Sequence, residues 1–220
     1  MGYTLNFAAV WRSFDLLLEG LALSLGLAFA AILAGVVIGM VVAFALISKN
    51  IWLRKPAGLY VTVIRNTPIL VLVLFTYFAM PELGLRLGKI ESFILTLALY
   101  SGAYLAEVFR GGLLSVPSGQ REAGLAIGLT EMQIRTSIII PLMLRNVLPS
   151  LSSTFISLFK DTSLAAAIAV PELTFEARKI NVETFRVIET WMVVSCIYVA
   201  TCSLLAALLR AIERRLAVPR

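Results

Sequence analysis

Two polar pairs interrupt apolar sequence in this chain, Arg65-Asn66 and Lys160-Asp161. An ionisable side chain inside an apolar segment is costly, and it commonly faces a cavity, a partner charge or a transport path. The first pair runs into Thr67-Pro68. Proline lacks the backbone donor and clashes with the preceding turn, so the helix is disturbed there and backbone groups are freed. Arg65 and Pro68 are therefore candidates for a gate or cavity wall, and the plainer reading is that Arg65 snorkels to lipid headgroups. The second pair runs into Thr162-Ser163, which suits a helix break whose side chains cap the helix that follows. A discontinuous helix at mid-membrane offers freed backbone groups to a ligand's carboxylate and ammonium. The plainer reading is an internal Lys160–Asp161 ion pair that stabilises the bundle. Glu107 shares one helical stripe with Tyr100 and Tyr104, and it is expected to pair with an arginine of a cytoplasmic loop.

No catalytic constellation accompanies these residues. Histidine, the common general base and metal ligand, is absent from the sequence. The nearest approach to a phosphate-binding loop, Gly84-Leu85-Arg86-Leu87-Gly88-Lys89, is one residue short and continues into Ile90. Cys196 and Cys202 fall on different faces of one apolar helix, with neither disulfide nor metal spacing. Any energy source must be another chain.

The elements that position the polar pairs follow from composition. Of 220 residues, 60% are apolar and 15% charged, against roughly 25% charged in soluble domains. That excludes an ordinary water-facing surface and predicts an all-α integral membrane helix bundle in a single domain spanning 1–220. Five spans fit: 21–47, 57–80, 92–109, one within 137–170, and 190–209. Leu21–Ile47 holds 27 uncharged residues, too many for a cleaved signal segment, and reads as a retained helix. For the fourth span, Pro141, Arg145 and Pro149 favour 147–170 over 137–159, which puts Lys160 and Asp161 near the midplane. Gly35 and Gly39 form a GxxxG pair in the first span, suited to close packing. The net charge of +6 sits beside the spans. Lys and Arg number three, three and four in alternate loops against one, two and three in the others, which predicts an outer N-terminus and a cytoplasmic C-terminus.

The connection between the third and fourth spans, about 115–141, is longer and more structured than a passive link needs. Pro117-Ser118-Gly119 signals a turn, and Gln120–Arg135 reads as one short helix, with Gly124 and Gly128 forming a smooth strip for a close-approaching surface. Glu122-Ala123-Gly124, then Gly128, Ile138 and Pro141, matches at every spacing the EAA loop of bacterial ABC importer permeases; Gly124 replaces an alanine. Arg65-Asn66-Thr67-Pro68, Ala103–Glu107, Arg110-Gly111-Gly112, Gly119-Gln120 and Lys160–Leu164 resemble the polar amino-acid branch of that family, over about residues 60–172.

The resemblance implies a type I ABC importer permease that translocates a polar amino acid across the inner membrane. It implies cytoplasmic ABC ATPase subunits, a periplasmic or lipid-anchored binding protein, and a second permease subunit. The chain itself is expected to bind no cofactor, with ATP and Mg held by the ATPase. Glu122, Ala123, Gly124, Gly128, Ile138 and Pro141 then transmit the ATPase stroke, while Asn66, Thr67, Lys160, Asp161, Thr162 and Ser163 line the substrate path. A competing reading, an ion-gradient transporter or channel without an ATPase, accounts for the intramembrane charges but leaves the cytoplasmic segment without a use.

Overall fold

The fold is available as a computed structural model, which describes residues 3–216. Arg220, counted above with the basic tail, lies outside the described residues. In chain order the helices are α1 (Ala8–Arg12), α2 (Phe14–Ile47), α3 (Ile51–Asn66), α4 (Ile69–Leu74), α5 (Lys89–Leu114), α6 (Ser118–Ala126), α7 (Glu131–Ile134), α8 (Ile140–Asp161), α9 (Leu173–Thr184) and α10 (Val187–Leu216). Among the described residues there is no strand, as backbone satisfaction in an apolar medium requires of anything other than a barrel.

Helix α5 is the centre of the bundle. Of its most apolar stretch 61% is buried, against 22% for α2 and 6% for α10. The α2–α5 contact depends on small residues. A Cβ at Gly39 would stand 2.8 Å from Leu105 Cβ and 3.0 Å from the Ala106 nitrogen, and one at Gly35 would overlap Ser101. From the other side, a Cβ on Gly102 would come within 2.6 Å of Ile38. The close approach lets the Ser101 hydroxyl donate to the Ala31 carbonyl at 3.2 Å. Gly35→Val is therefore expected to lower the thermal midpoint of the purified protein, with about 1–3 kcal/mol of overpacking. Gly26→Val, where a side chain meets open space, should leave that midpoint unchanged.

Helix α2 begins seven residues before the apolar run that predicts it, because packing rather than hydropathy holds its first turns. Leu17 and Gly20 are buried there, and a Cβ at Gly20 would stand 2.8 Å from the Leu173 nitrogen of α9. Val10, Leu17, Leu173, Ala177, Ile180 and Val194 make a second small core beneath α9. Glu172 anchors this end. Its wholly buried carboxylate caps α9 by accepting from the Thr174 and Phe175 nitrogens at 2.9 Å. It also accepts from the hydroxyls of Ser24 on α2 and Tyr198 on α10. Burial pushes the Glu172 carboxyl above its ordinary pKa, and these hydrogen bonds pull the other way.

The second and fourth spans differ from expectation. No continuous helix runs over 57–80; α3 and the helical run Ile69–Leu83 meet at 106°. Pro68 drives Thr67 into extended backbone, with φ −103° and ψ 130°, which ends α3 rather than kinking it. Among the described residues four helices are long and apolar enough to cross a membrane, and this bent pair is the fifth candidate. In the fourth, a helical path of 38 residues runs from Glu131 to Ile168. Pro141 opens α8 at its second residue, inside that longer path, and follows a π-helical stretch at Arg135–Ile139 that widens the backbone ahead of the ring. The α-helix ends at Asp161 and tightens to a 3-10 stretch, Thr162–Ile168. Thr162 does not cap a following helix: its hydroxyl donates back to the Phe159 carbonyl at 2.6 Å, and the cap of α9 is Glu172.

Candidate functional site

Helix α8 carries Ser150, Ser153, Thr154, Ser157 and Asp161, which at 100° per residue fall on one stripe. Four of them, Ser153, Thr154, Ser157 and Asp161, face Tyr100 and Tyr104 of α5 across a cavity of about 340 Å³. The two tyrosine rings pack at a 43° tilt, 4.7 Å between centroids. The guanidinium of Arg65 lies over the Tyr104 ring, 5.1 Å from its centroid, within the range of a cation–π contact. Tyr104 also lines a second cavity, of about 410 Å³, with Thr62, Arg65, Asn66 and Glu107. One aromatic residue therefore lines both a chamber with the Asp161 carboxylate and a chamber with the Arg65 guanidinium and the Glu107 carboxylate.

The predicted site residues separate into groups. Asp161 belongs to the first chamber, and Arg65, Asn66 and Glu107 to the second. The Asn66 amide donates to the Thr62 carbonyl at 2.8 Å. Glu107 pairs with Arg110 one turn along α5, at 2.6 Å; Arg110, assigned from sequence to the loop, is still helical. Thr67 lies at the bend beside Pro68, its hydroxyl tied to the Val63 carbonyl at 2.8 Å. Thr162 is buried. Lys160 and Ser163 line a different cavity, of about 510 Å³, toward Thr174, Trp191 and Tyr198. No Lys160–Asp161 ion pair occurs among the described residues, because consecutive helical side chains project about 100° apart.

Tyr100, Ser153, Thr154 and Ser157 were not named from sequence as site residues. Hydroxyls at helical spacing leading to Asp161 were the available signal.

The segment between α5 and α8 is two short helices, not one. Helix α6 ends in a Schellman motif: the Gly128 nitrogen donates to the Leu125 carbonyl and the Leu129 nitrogen to the Gly124 carbonyl, both at 3.0 Å. Gly128 takes φ 83°, in the left-handed region. Thr130 and Gln133 then form a capping box that starts α7, and Arg121 bridges back to Glu131. Gly124 and Gly128 consequently share no outer strip. Gly124 is buried, where a Cβ would lie 2.8 Å from Ile134 and 3.4 Å from Ile138. Glu122, Ala123, Gly128 and Pro141 are exposed, Ile138 half-buried. Among charged neighbours the hairpin also exposes apolar side chains: Leu125, Ile127 and Met132 are 43%, 75% and 69% exposed.

Comparison with known proteins places this geometry. Residues 35–218 match the family described as binding-protein-dependent transport system inner membrane component. The glutamine transport system permease protein GlnP of Escherichia coli (strain K12) is 38% identical over 216 residues, covering 97% of this chain and 98% of the relative. The L-cystine transport system permease protein TcyB of Bacillus subtilis (strain 168) is 35% identical over 218 residues, covering 98% and 93%. A crystal structure of an amino acid ABC transporter with histidines superposes with a TM-score of 0.89 at 31% identity, over 97% of this chain and 100% of that one. With its all-α bundle of the type I importer class, the chain belongs to the inner membrane components of binding-protein-dependent transport systems and is a permease subunit of an amino-acid ABC transporter.

Proposed function

We propose that this subunit carries a polar amino acid inward across the inner membrane, past Tyr104, through the two chambers that hold Asp161 and Arg65. The observation that supports it is the pairing, about one aromatic wall, of a chamber that holds Asp161 with one that holds Arg65 beside a Glu107 already paired to Arg110, inside helices otherwise apolar enough to span a bilayer. An amino acid brings one ammonium and one carboxylate, and the two chambers carry the complementary charges. The N-terminus is periplasmic and the C-terminus cytoplasmic, as the Lys and Arg distribution favours.

In this reading the α6–α7 hairpin faces the cytoplasm and seats its exposed apolar tip on an ABC ATPase that holds ATP and Mg. A binding protein delivers ligand to the outer face, and a second permease subunit completes the path. Closure of the ATPases moves the hairpin, and α5 and α8, packed on each other, alternate access to the chambers. Uptake into proteoliposomes should require the ATPase, ATP and the binding protein, and should survive collapse of the proton gradient. Uptake without the ATPase, driven by a gradient, would favour a secondary transporter instead.

A further inference from the structure

We propose that residues 3–12 form a strap that lies in the membrane–water interface, on the side where the N-terminus emerges, and is clamped to the start of α10 by Glu189. The clamp is polar. The Glu189 carboxylate, wholly buried in the first turn of α10, accepts from the Tyr3 hydroxyl and from the Asn6 nitrogen, the latter at 2.8 Å. Arg186 donates to the Thr4 carbonyl at 3.1 Å and reaches the same carboxylate at 3.4 Å. A buried carboxylate is costly unless its lone pairs are met, and the strap supplies two of these three donors. Val10 adds an apolar foothold in the small core beneath α9, with Leu17 and Val194.

The other side of the strap is apolar and bare. Tyr3, Leu5 and Trp11 are 55%, 56% and 58% exposed, and no residue from Tyr3 to Trp11 carries a charge. Tyrosine and tryptophan, with apolar rings and one polar atom each, favour the interface over either bulk water or hydrocarbon. The occupant of this face is lipid, because the face continues surfaces that meet the bilayer. Leu18 in the first turns of α2 and Val187 and Ile188 at the start of α10 also expose apolar side chains, and both helices are long and apolar enough to span. Arg12, which follows Trp11, is exposed and suits the headgroup phosphates. By tying α10 to the interface, the strap sets the depth at which that helix begins.

The test reads Trp11 fluorescence of the full-length permease in phosphatidylcholine nanodiscs, with Trp52→Phe and Trp191→Phe leaving Trp11 as the sole tryptophan. Lipids brominated early in their acyl chains should quench it at least about threefold more than lipids brominated late, and aqueous iodide should quench it at least about fivefold less than free tryptophan. Full iodide quenching without quenching by lipid would overturn the proposal in favour of a water-facing strap. Protection from every quencher would overturn it in favour of cover by another protein surface, and stronger quenching by late-brominated lipids would overturn it in favour of burial in the hydrocarbon. Glu189→Gln tests the clamp: amide hydrogen exchange within residues 4–7 should quicken at least about fivefold, while that of α5 stays as in wild type. Unchanged exchange when Glu189→Gln is combined with Tyr3→Phe would overturn the clamp.

Discussion

Asp161→Ala is expected to reduce uptake between about 30-fold and several thousand-fold at unchanged membrane abundance, the range that follows from removing one partner of a desolvated charge pair at about 2–5 kcal/mol. The carboxylate sits at the end of α8 on the hydroxyl stripe, beside the tilted pair Tyr100 and Tyr104. It makes no ion pair among the described residues, so its loss leaves no opposite charge stranded, and the bundle has no electrostatic reason to loosen. The helix end does not depend on it either, since Thr162 closes back on Phe159. Assembly with the ATPase should therefore persist, measured by co-purification, while transport falls. Asp161→Asn keeps size and one acceptor and should lie between wild type and alanine. Uptake by the alanine variant within twofold of wild type would remove Asp161 from the path.

The architecture was largely legible because hydropathy reports it directly. A segment such as Leu21–Ile47 cannot be satisfied in lipid by anything but a helix. What escaped was set by tertiary contact or by single backbone positions. Nothing in the hydropathy of Phe14–Gly20 shows that α9 docks on Leu17 and Gly20 and extends α2 outward. Pro68 was recognised as a disturbance, but its consequence, a 106° corner, depends on where α4 finds its partners. The charges in the site were visible as costly residues in apolar surroundings. Their grouping was not, because adjacency in sequence suggested that Lys160 and Asp161 act together, whereas helical geometry sends them to different cavities. The hydroxyl ladder from Ser150 to Ser157 was readable by the same 100° rule. It was overlooked because serines in membrane helices commonly satisfy the backbone, as Ser153 and Thr154 do here.

The α6–α7 hairpin yields the other large effect: Gly128→Val should uncouple the ATPase from the binding protein while the complex still assembles. Gly128 is the left-handed residue that turns the chain between α6 and α7, at φ 83°. A residue with a Cβ is disfavoured there by about 1–2 kcal/mol, more so when β-branched. No neighbour crowds the position, so the cost is purely conformational, and the chain relieves it by unwinding the Schellman turn. Undoing that turn releases the hydrogen bonds from Gly128 and Leu129 to α6 and misplaces Ile127, the most exposed apolar side chain of the hairpin tip. The membrane helices are untouched, because the packing that ties α6 to α7 and to the π-helical stretch leading into α8 runs through Gly124, Ile134 and Ile138. ATPase stimulation by liganded binding protein should fall at least tenfold, with little change in the thermal midpoint of the permease. Asparagine tolerates the left-handed region better than valine, so Gly128→Asn should recover much of the stimulation. A valine variant stimulated like wild type would show that the turn's geometry does not carry the stroke.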